Sequence, residues 1–168
     1  MHDQPRYKPF RKSTFFDDGR AVRPPVEDTV ARGTLDDTAP LHTGKANGEY
    51  VRESPLPVTM ALLQRGRERY DIYFAPCHDR TGSGGGMIFE RGFRRPPSFH
   101  IDRLRDVPDG YVAEVITQGF GVMPAYRAQI PAEDRWAIVA YVRALQLSQH
   151  VRVADLPADV GATLGGAR

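Results

Sequence analysis

Cysteine is nearly absent from this chain of 168 residues, which has one, Cys77. A single thiol excludes an internal disulfide and leaves cysteine usage silent on the redox compartment. Long apolar runs are missing too, and none approaches the roughly 20 residues needed to span a membrane. The opening Met1-His2-Asp3-Gln4-Pro5 lacks the apolar stretch of a secretory signal. Nor does one sign of charge dominate: 23 basic and 21 acidic residues leave a formal +2. That balance gives no argument for nucleic-acid binding or for strong steering by an acidic partner. There is no internal repeat. What the chain does have is glycine (16) and proline (14), with 40% apolar residues. This composition fits about one small domain with extensions of irregular chain.

Residues 1–57 show no sustained helical or strand period. Pro5, Pro9, Pro24, Pro25, Pro40, Pro55 and Pro57 interrupt them. Such a segment has little apolar surface to offset its ordering cost. Yet Tyr7, Phe10, Phe15, Phe16 and Tyr50 make it more aromatic than a solvated tail. The expectation is an extended arm that becomes ordered on partner subunits. A free tail is the alternative.

The pattern changes at residue 58. Thr59 is suited to cap a helix, and Leu62, Leu63, Gly66, Tyr70 and Tyr73 recur at spacings near three and four. Residues 79–110 read as loop, including a flexible glycine-rich stretch, Gly82-Ser83-Gly84-Gly85-Gly86. Asp109 to Gln118 reads as a short helix that Gly119 stops. Pro131, Glu133 and Asp134 open a last helix, with Trp136, Val139, Ala140, Val142 and Leu145 on its apolar face and Arg143 near its end. The reading is a mainly α domain over 58–150, followed by a tail over 151–168.

The lone cysteine sits in Phe74-Ala75-Pro76-Cys77-His78. This is the c-type haem attachment pattern C-x-x-C-H with phenylalanine in place of its first cysteine. A haem needs a ligand on each face and an apolar pocket, and in c-type proteins a thioether. Cys77 and His78 meet two of these needs together, because anchoring the ring edge brings the imidazole under the iron. The opposite ligand should come from a remote segment. Met123, in Gly119-Phe120-Gly121-Val122-Met123-Pro124-Ala125-Tyr126, fits best, and histidine–methionine pairs ligate electron-carrying cytochromes c. Met60 and Met87 are weaker candidates, as is Met1, and His100 is the rival axial ligand. A core methionine filling a gap is the bland reading of Met123.

A ligating histidine usually gives its other N–H to an acceptor, and the carbonyl of Pro96 or Pro97 is the candidate. A rigid loop brace is the plainer role for these prolines. Phe74, with its ring on the unbound vinyl edge, and Tyr126 complete the expected haem contacts. Arg91, Arg94 and Arg95 are either propionate partners or a solvated face. The glycine stretch has no following Lys-Ser/Thr and no preceding strand, so it is no phosphate loop. Cys77 as a nucleophile has no base except its neighbour.

The order helix, x-x-C-H, glycine loop, short helix, Met-Pro loop and aromatic helix resembles a class I cytochrome c. Within that class the chain resembles the ActE-type monohaem cytochrome c subunit of alternative complex III. The strings that carry this are Met1-His2-Asp3-Gln4-Pro5-Arg6-Tyr7, Phe15-Phe16-Asp17-Asp18-Gly19-Arg20 with Arg23-Pro24-Pro25, Thr29-Val30-Ala31-Arg32-Gly33, Arg65-Gly66-Arg67-Glu68-Arg69-Tyr70 and Arg91-Gly92-Phe93. The resemblance implies a class I cytochrome c fold behind a long N-terminal arm, with Gly66 and Tyr70 packing against Trp136 or Tyr141. It also implies an electron-transfer subunit rather than an enzyme. One haem c would relay electrons from a membrane-bound quinol-oxidising complex with a multihaem subunit to a cytochrome c or an oxidase. The expected location is the periplasmic side of the inner membrane. Any export signal or lipidated cysteine then lies before Met1. The family usually has a cysteine at position 74, so Phe74 implies one thioether. Two other readings stay open: a haemless structural subunit that kept the fold, and the cytochrome subunit of an oxidase.

Overall fold

The computed structural model describes residues 4–24, 26, 27, 29, 40–152, 155, 156 and 160. Met1 to Asp3, Pro25, Val30 to Gly33 and most of the tail expected over 151–168 lie outside the described residues. The chain divides into two units, Met1–Leu35 and Asp36–Arg168.

In the second unit the helices start and stop where local chemistry dictates. Helix α2 (Met60–Tyr73) begins at Thr59, whose hydroxyl accepts the Leu62 N–H at 3.1 Å; this satisfies one of the donors left free at a helix start. One-turn helix α3 (Ala75–His78) follows, with Pro76 in its first turn. Helix α6 (Asp109–Gln118) runs from Pro108 to Gly119, whose φ of +79° favours glycine and ends the helix. Helix α7 (Ala132–His150) starts after Pro131 with Glu133 and Asp134 in its first turn, where acids suit the helix dipole. Asp134 also takes a two-pronged ion pair from Arg65 of α2, at 2.7 and 2.8 Å.

The core forms where α2 and α6 meet α7. Tyr70, Phe74, Ala113, Ile116, Ile130, Trp136, Ile138, Val139 and Val142 are its buried residues. Gly66 sets the approach of α2 to α7. A Cβ there would lie 2.0 Å from the carbonyl oxygen of Ala137, so only glycine lets the helices touch at that point. Tyr70 packs on Tyr141 with ring centres 5.3 Å apart. The expected pairing of Gly66 and Tyr70 with the last helix is thus in place.

The domain starts earlier in the chain than its helical periodicity indicates. Residues 40–57, expected in the arm, pack on the helical core. One-turn helix α1 (Pro40–Thr43) offers the Leu41 carbonyl to Trp136 Nε1 at 2.7 Å. A two-residue hairpin follows, β1 (Lys45–Ala46) with β2 (Glu49–Tyr50), pairing Lys45 with Tyr50. The Gly110 N–H donates to the Val51 carbonyl at 2.9 Å. Lys45 Nζ reaches Glu114 at 2.6 Å, and the Tyr50 hydroxyl donates to the same carboxylate. Leu41, Val51 and Leu56 add apolar cover. These contacts join residues distant in sequence, so no local period reveals them.

Trp136 is fully buried and its indole N–H holds the Leu41 carbonyl. Trp136→Phe is therefore expected to lower stability by about 2 kcal/mol, from lost volume and the unpaired carbonyl. Urea unfolding checks this; a loss under about 0.5 kcal/mol would contradict the role given to α1.

The segment over 79–108 carries two further single turns, α4 (Met87–Glu90) and α5 (Asp102–Arg105). Arg143 clamps it to α7. Its guanidinium reaches Asp109 at 2.7 Å, Gln146 at 2.8 Å and the carbonyls of Leu104, Arg105 and Val107. Rather than serving the helix end, Arg143 ties α7 to the loop before α6.

The first unit folds back on itself over residues 11–21 instead of running fully extended. Lys12 and Arg20 form an antiparallel bridge. The Ser13 N–H donates to the Gly19 carbonyl, and the Gly19 N–H to the Phe16 carbonyl, both at 2.9 Å. Arg23 lies 4.2 Å over the Phe16 ring and pairs with Asp18. Tyr7, Phe10 and Phe15 remain exposed. Among the described residues no helix is long and apolar enough to cross a membrane.

Candidate haem site

The Cys77-His78 pair lies on α3, directly after α2. Phe74, at the junction, is 3% exposed and belongs to the core. Its ring stacks on Tyr70 at 6.1 Å and lies 5.1 Å from Tyr126. The position that would carry a second cysteine is thus filled by a packed aromatic. Cys77 is a free, half-buried thiol.

His78 is 8% exposed. Burial pushes its imidazole down to about 4, against an opposing pull from Asp79. The ring is therefore neutral at physiological pH, the form that ligates a metal. Its Nδ1 is buried without a hydrogen-bond partner. The bond expected from His78 to the carbonyl of Pro96 or Pro97 is not formed. The Pro96 carbonyl instead packs on Gly84, where a Cβ would sit 2.3 Å from its oxygen. Gly84 has φ of +83° and its N–H donates to the His78 carbonyl at 2.9 Å. Phe99 stacks on the imidazole, centres 4.5 Å apart and planes 18° apart.

The glycine-rich stretch is pinned, not flexible as the sequence suggests. Asp79, at φ of +58°, accepts from the Thr81 N–H and hydroxyl at 2.6 Å, from the Gly85 N–H at 2.9 Å and from the Ser83 hydroxyl. Burial alone would raise this carboxyl; the donors from Ser83, Thr81 and Gly85 hold it well below the usual carboxylate range. The Tyr70 hydroxyl donates to the Asp79 carbonyl at 2.7 Å. Gly86 folds over the motif, with no room for a Cβ beside the Pro76 and Cys77 carbonyls. Asp79 and Phe99 were not singled out in the sequence. An Asp two residues before a Thr in a glycine-rich stretch is a recognisable turn signal, whereas nothing local marks Phe99.

Met123 lies in a tight turn, its N–H and carbonyl both bonded to Phe120 at 3.0 Å. The Tyr126 N–H holds this loop to α6 through the Ile116 carbonyl at 3.0 Å. Met123 and Tyr126 both pack against the aromatic core that contains Phe74. Burial, and then the nearby Cys77 sulfur, push the Tyr126 hydroxyl up. Met60 and Met87 are 69% and 58% exposed, so among the described residues Met123 is the methionine that packs on this cluster. His100 is engaged elsewhere: its Nε2 bonds the Thr81 carbonyl at 2.7 Å, and its ring stacks on His150. Arg95 reaches the Ser83 carbonyl at 3.3 Å, while Arg91 and Arg94 are exposed.

The donor set suits a haem held by one tether. It comprises a neutral buried imidazole with an unpaired ring nitrogen, an adjacent thiol, and a thioether on a remote loop that packs on the same aromatics. Residues 61–142 match the family described as cytochrome C oxidase, cbb3-type, subunit III. No curated protein matches the chain. Among solved structures, a chain of the reducing HAO-like protein complex from Kuenenia stuttgartiensis is similar at 21% identity and a TM-score of 0.48. The alignment covers 67% of this chain and 56% of that one, so the chain spans little more than half the length of that relative. Between its first helix and its last, the chain carries a mainly helical cytochrome c domain, a type of domain that transfers electrons through haem.

Proposed function

We propose that this domain carries one haem c, tethered by Cys77 alone and ligated by His78 and Met123. The observation that carries this is His78: buried, neutral and unpaired at Nδ1, beside the chain's only thiol. When bound, haem supplies a one-electron couple. The protein's part is to hold the two ligands, exclude water with Phe74, Phe99 and Tyr126, and present the site to donor and acceptor. Histidine–methionine ligation favours a relatively high potential.

The chain then serves as an electron-transfer subunit, not an enzyme, in a quinol-oxidising complex of the alternative complex III type. It passes electrons from a multihaem subunit to a cytochrome c or an oxidase on the periplasmic face of the inner membrane, peripheral to it. A lipid anchor there would attach upstream of Met1. The exposed Tyr7, Phe10 and Phe15 of the first unit supply aromatic anchors for partner subunits. Two observations support other readings. The matched family's description favours a cytochrome subunit of an oxidase. The closed packing of Phe74 suits a subunit that kept the fold without haem.

Redox titration of the purified assembly, followed by the reduced-minus-oxidised spectrum, tests the proposal. Met123→Ala is expected to lower the potential and change the spectrum, because a thioether favours the reduced iron. An unchanged potential and spectrum would assign the second ligand to another residue.

A further inference from the structure

We propose that the first unit carries a site for anionic phospholipid: Arg6, Lys8, Arg11 and Lys12 take headgroup phosphates, and Phe10 between them enters the bilayer interface. The inference is independent of the haem reading and concerns only what this unit touches. The string Arg6-Tyr7-Lys8-Pro9-Phe10-Arg11-Lys12 holds four cations and no acid, an excess that the chain-wide balance conceals. All four cations are exposed. Of the acids that follow, Asp18 is taken by Arg23, at 2.7 and 2.8 Å, and by the Arg20 N–H at 3.1 Å. A cavity of about 400 Å³ lies among Gln4, Pro5, Arg6, Tyr7, Arg11 and Lys12, so three of the cations line one opening.

The backbone presents these side chains. Lys12 bridges to Arg20, and the Ala21 N–H donates to the Arg11 carbonyl at 3.0 Å. These bonds fix the far end of the string. The Arg11 N–H donates to the Lys8 carbonyl at 3.1 Å, closing a turn around Pro9 and Phe10. Phe10 sits in that turn at φ of +65°, a conformation that a bulky residue rarely adopts. Its ring is 95% exposed. A strained backbone that holds an apolar ring in water points to a function for the ring. A protein surface would be met by a shaped apolar face, whereas here one ring projects between Lys8 and Arg11. A bilayer asks for less: its headgroup region takes single aromatic rings and supplies phosphates to the cations beside them. Of the aromatics assigned above to partner subunits, Phe10 therefore goes to lipid. Phe15, edge-on to Phe16 at 4.9 Å, stays with protein.

The test sediments the full chain with vesicles of phosphatidylcholine, with and without phosphatidylglycerol, at low and high salt. Binding is expected only with phosphatidylglycerol, and is expected to fall at high salt, where the surface charge is screened. Arg6→Gln combined with Lys8→Gln is expected to weaken it about 25-fold, at about fivefold per cation near an anionic surface. Phe10→Asn is expected to weaken it as well, although asparagine tolerates a positive φ and keeps the turn. Equal binding to both kinds of vesicle, or a double variant that binds as the parent does, would overturn the inference. So would calorimetry that shows inorganic phosphate bound by a chain that ignores vesicles, which would make the cavity a site for the free ion. A chain that ignores vesicles but leaves its assembly when Arg6 and Lys8 are replaced would give the string to an acidic protein partner instead. Haem content does not enter these readouts, so either proposal can fail without the other.

Discussion

Gly66→Ala is expected to destabilise the domain by about 3 kcal/mol. Two effects oppose each other. Alanine is the better helix former by about 1 kcal/mol in a helix interior. Against this, the added Cβ would lie 2.0 Å from the Ala137 carbonyl oxygen and 3.0 Å from Tyr141 Cβ. The first contact is backbone, so no side-chain rotation relieves it. Helices α2 and α7 must separate, and Tyr70 and Trp136, both fully buried, lose their fit. The clash outweighs the propensity gain. The midpoint of urea unfolding at constant slope measures the effect. A variant within about 0.5 kcal/mol of the parent would show that the helix contact is softer than its geometry indicates.

Phe74→Cys would complete the C-x-x-C-H pattern, and in the haem-free protein it is expected to cost about 3 kcal/mol. A buried phenylalanine cut to a small residue leaves a cavity as well as lost transfer energy. Phe74 is 3% exposed and packed on Tyr70, Tyr126 and His78. The thiol retains one heavy atom of that volume. The same variant separates stability from attachment. In haem-loaded protein a second thioether is expected to move the haemochrome α band to the position given by two saturated vinyl groups. Haem-free Phe74→Cys as stable as the parent would mean that Phe74 is not part of the core.

The helical frame was legible because its signals are local. Thr59 caps α2, Gly119 ends α6 and Pro131 opens α7, each through its own backbone chemistry. The segment over 40–57 was not legible, because its attachment runs through Trp136 to Leu41 and through Gly110 to Val51. Proline content suggested an arm; distant hydrogen bonds make it part of the domain. The site divides the same way. Cys77 and His78 are candidates from adjacent letters, and Met123 is one from a shaped loop. The carbonyl partner expected at Pro96 or Pro97 rests on a general rule about ligands, and in this haem-free chain Nδ1 of His78 has no such partner. Phe99 meets His78 through the fold of the pinned loop, which no spacing encodes.

The central claim is one haem held by one thioether, and the alkaline pyridine haemochrome tests it most directly. Protein isolated in its full assembly is assayed before and after extraction with acidified acetone. The expected result is one haem per chain that stays with the polypeptide, its α band lying between those of haem with two thioethers and haem with none. Haem that passes entirely into the acetone, or an assembly in which this chain binds none, would contradict it.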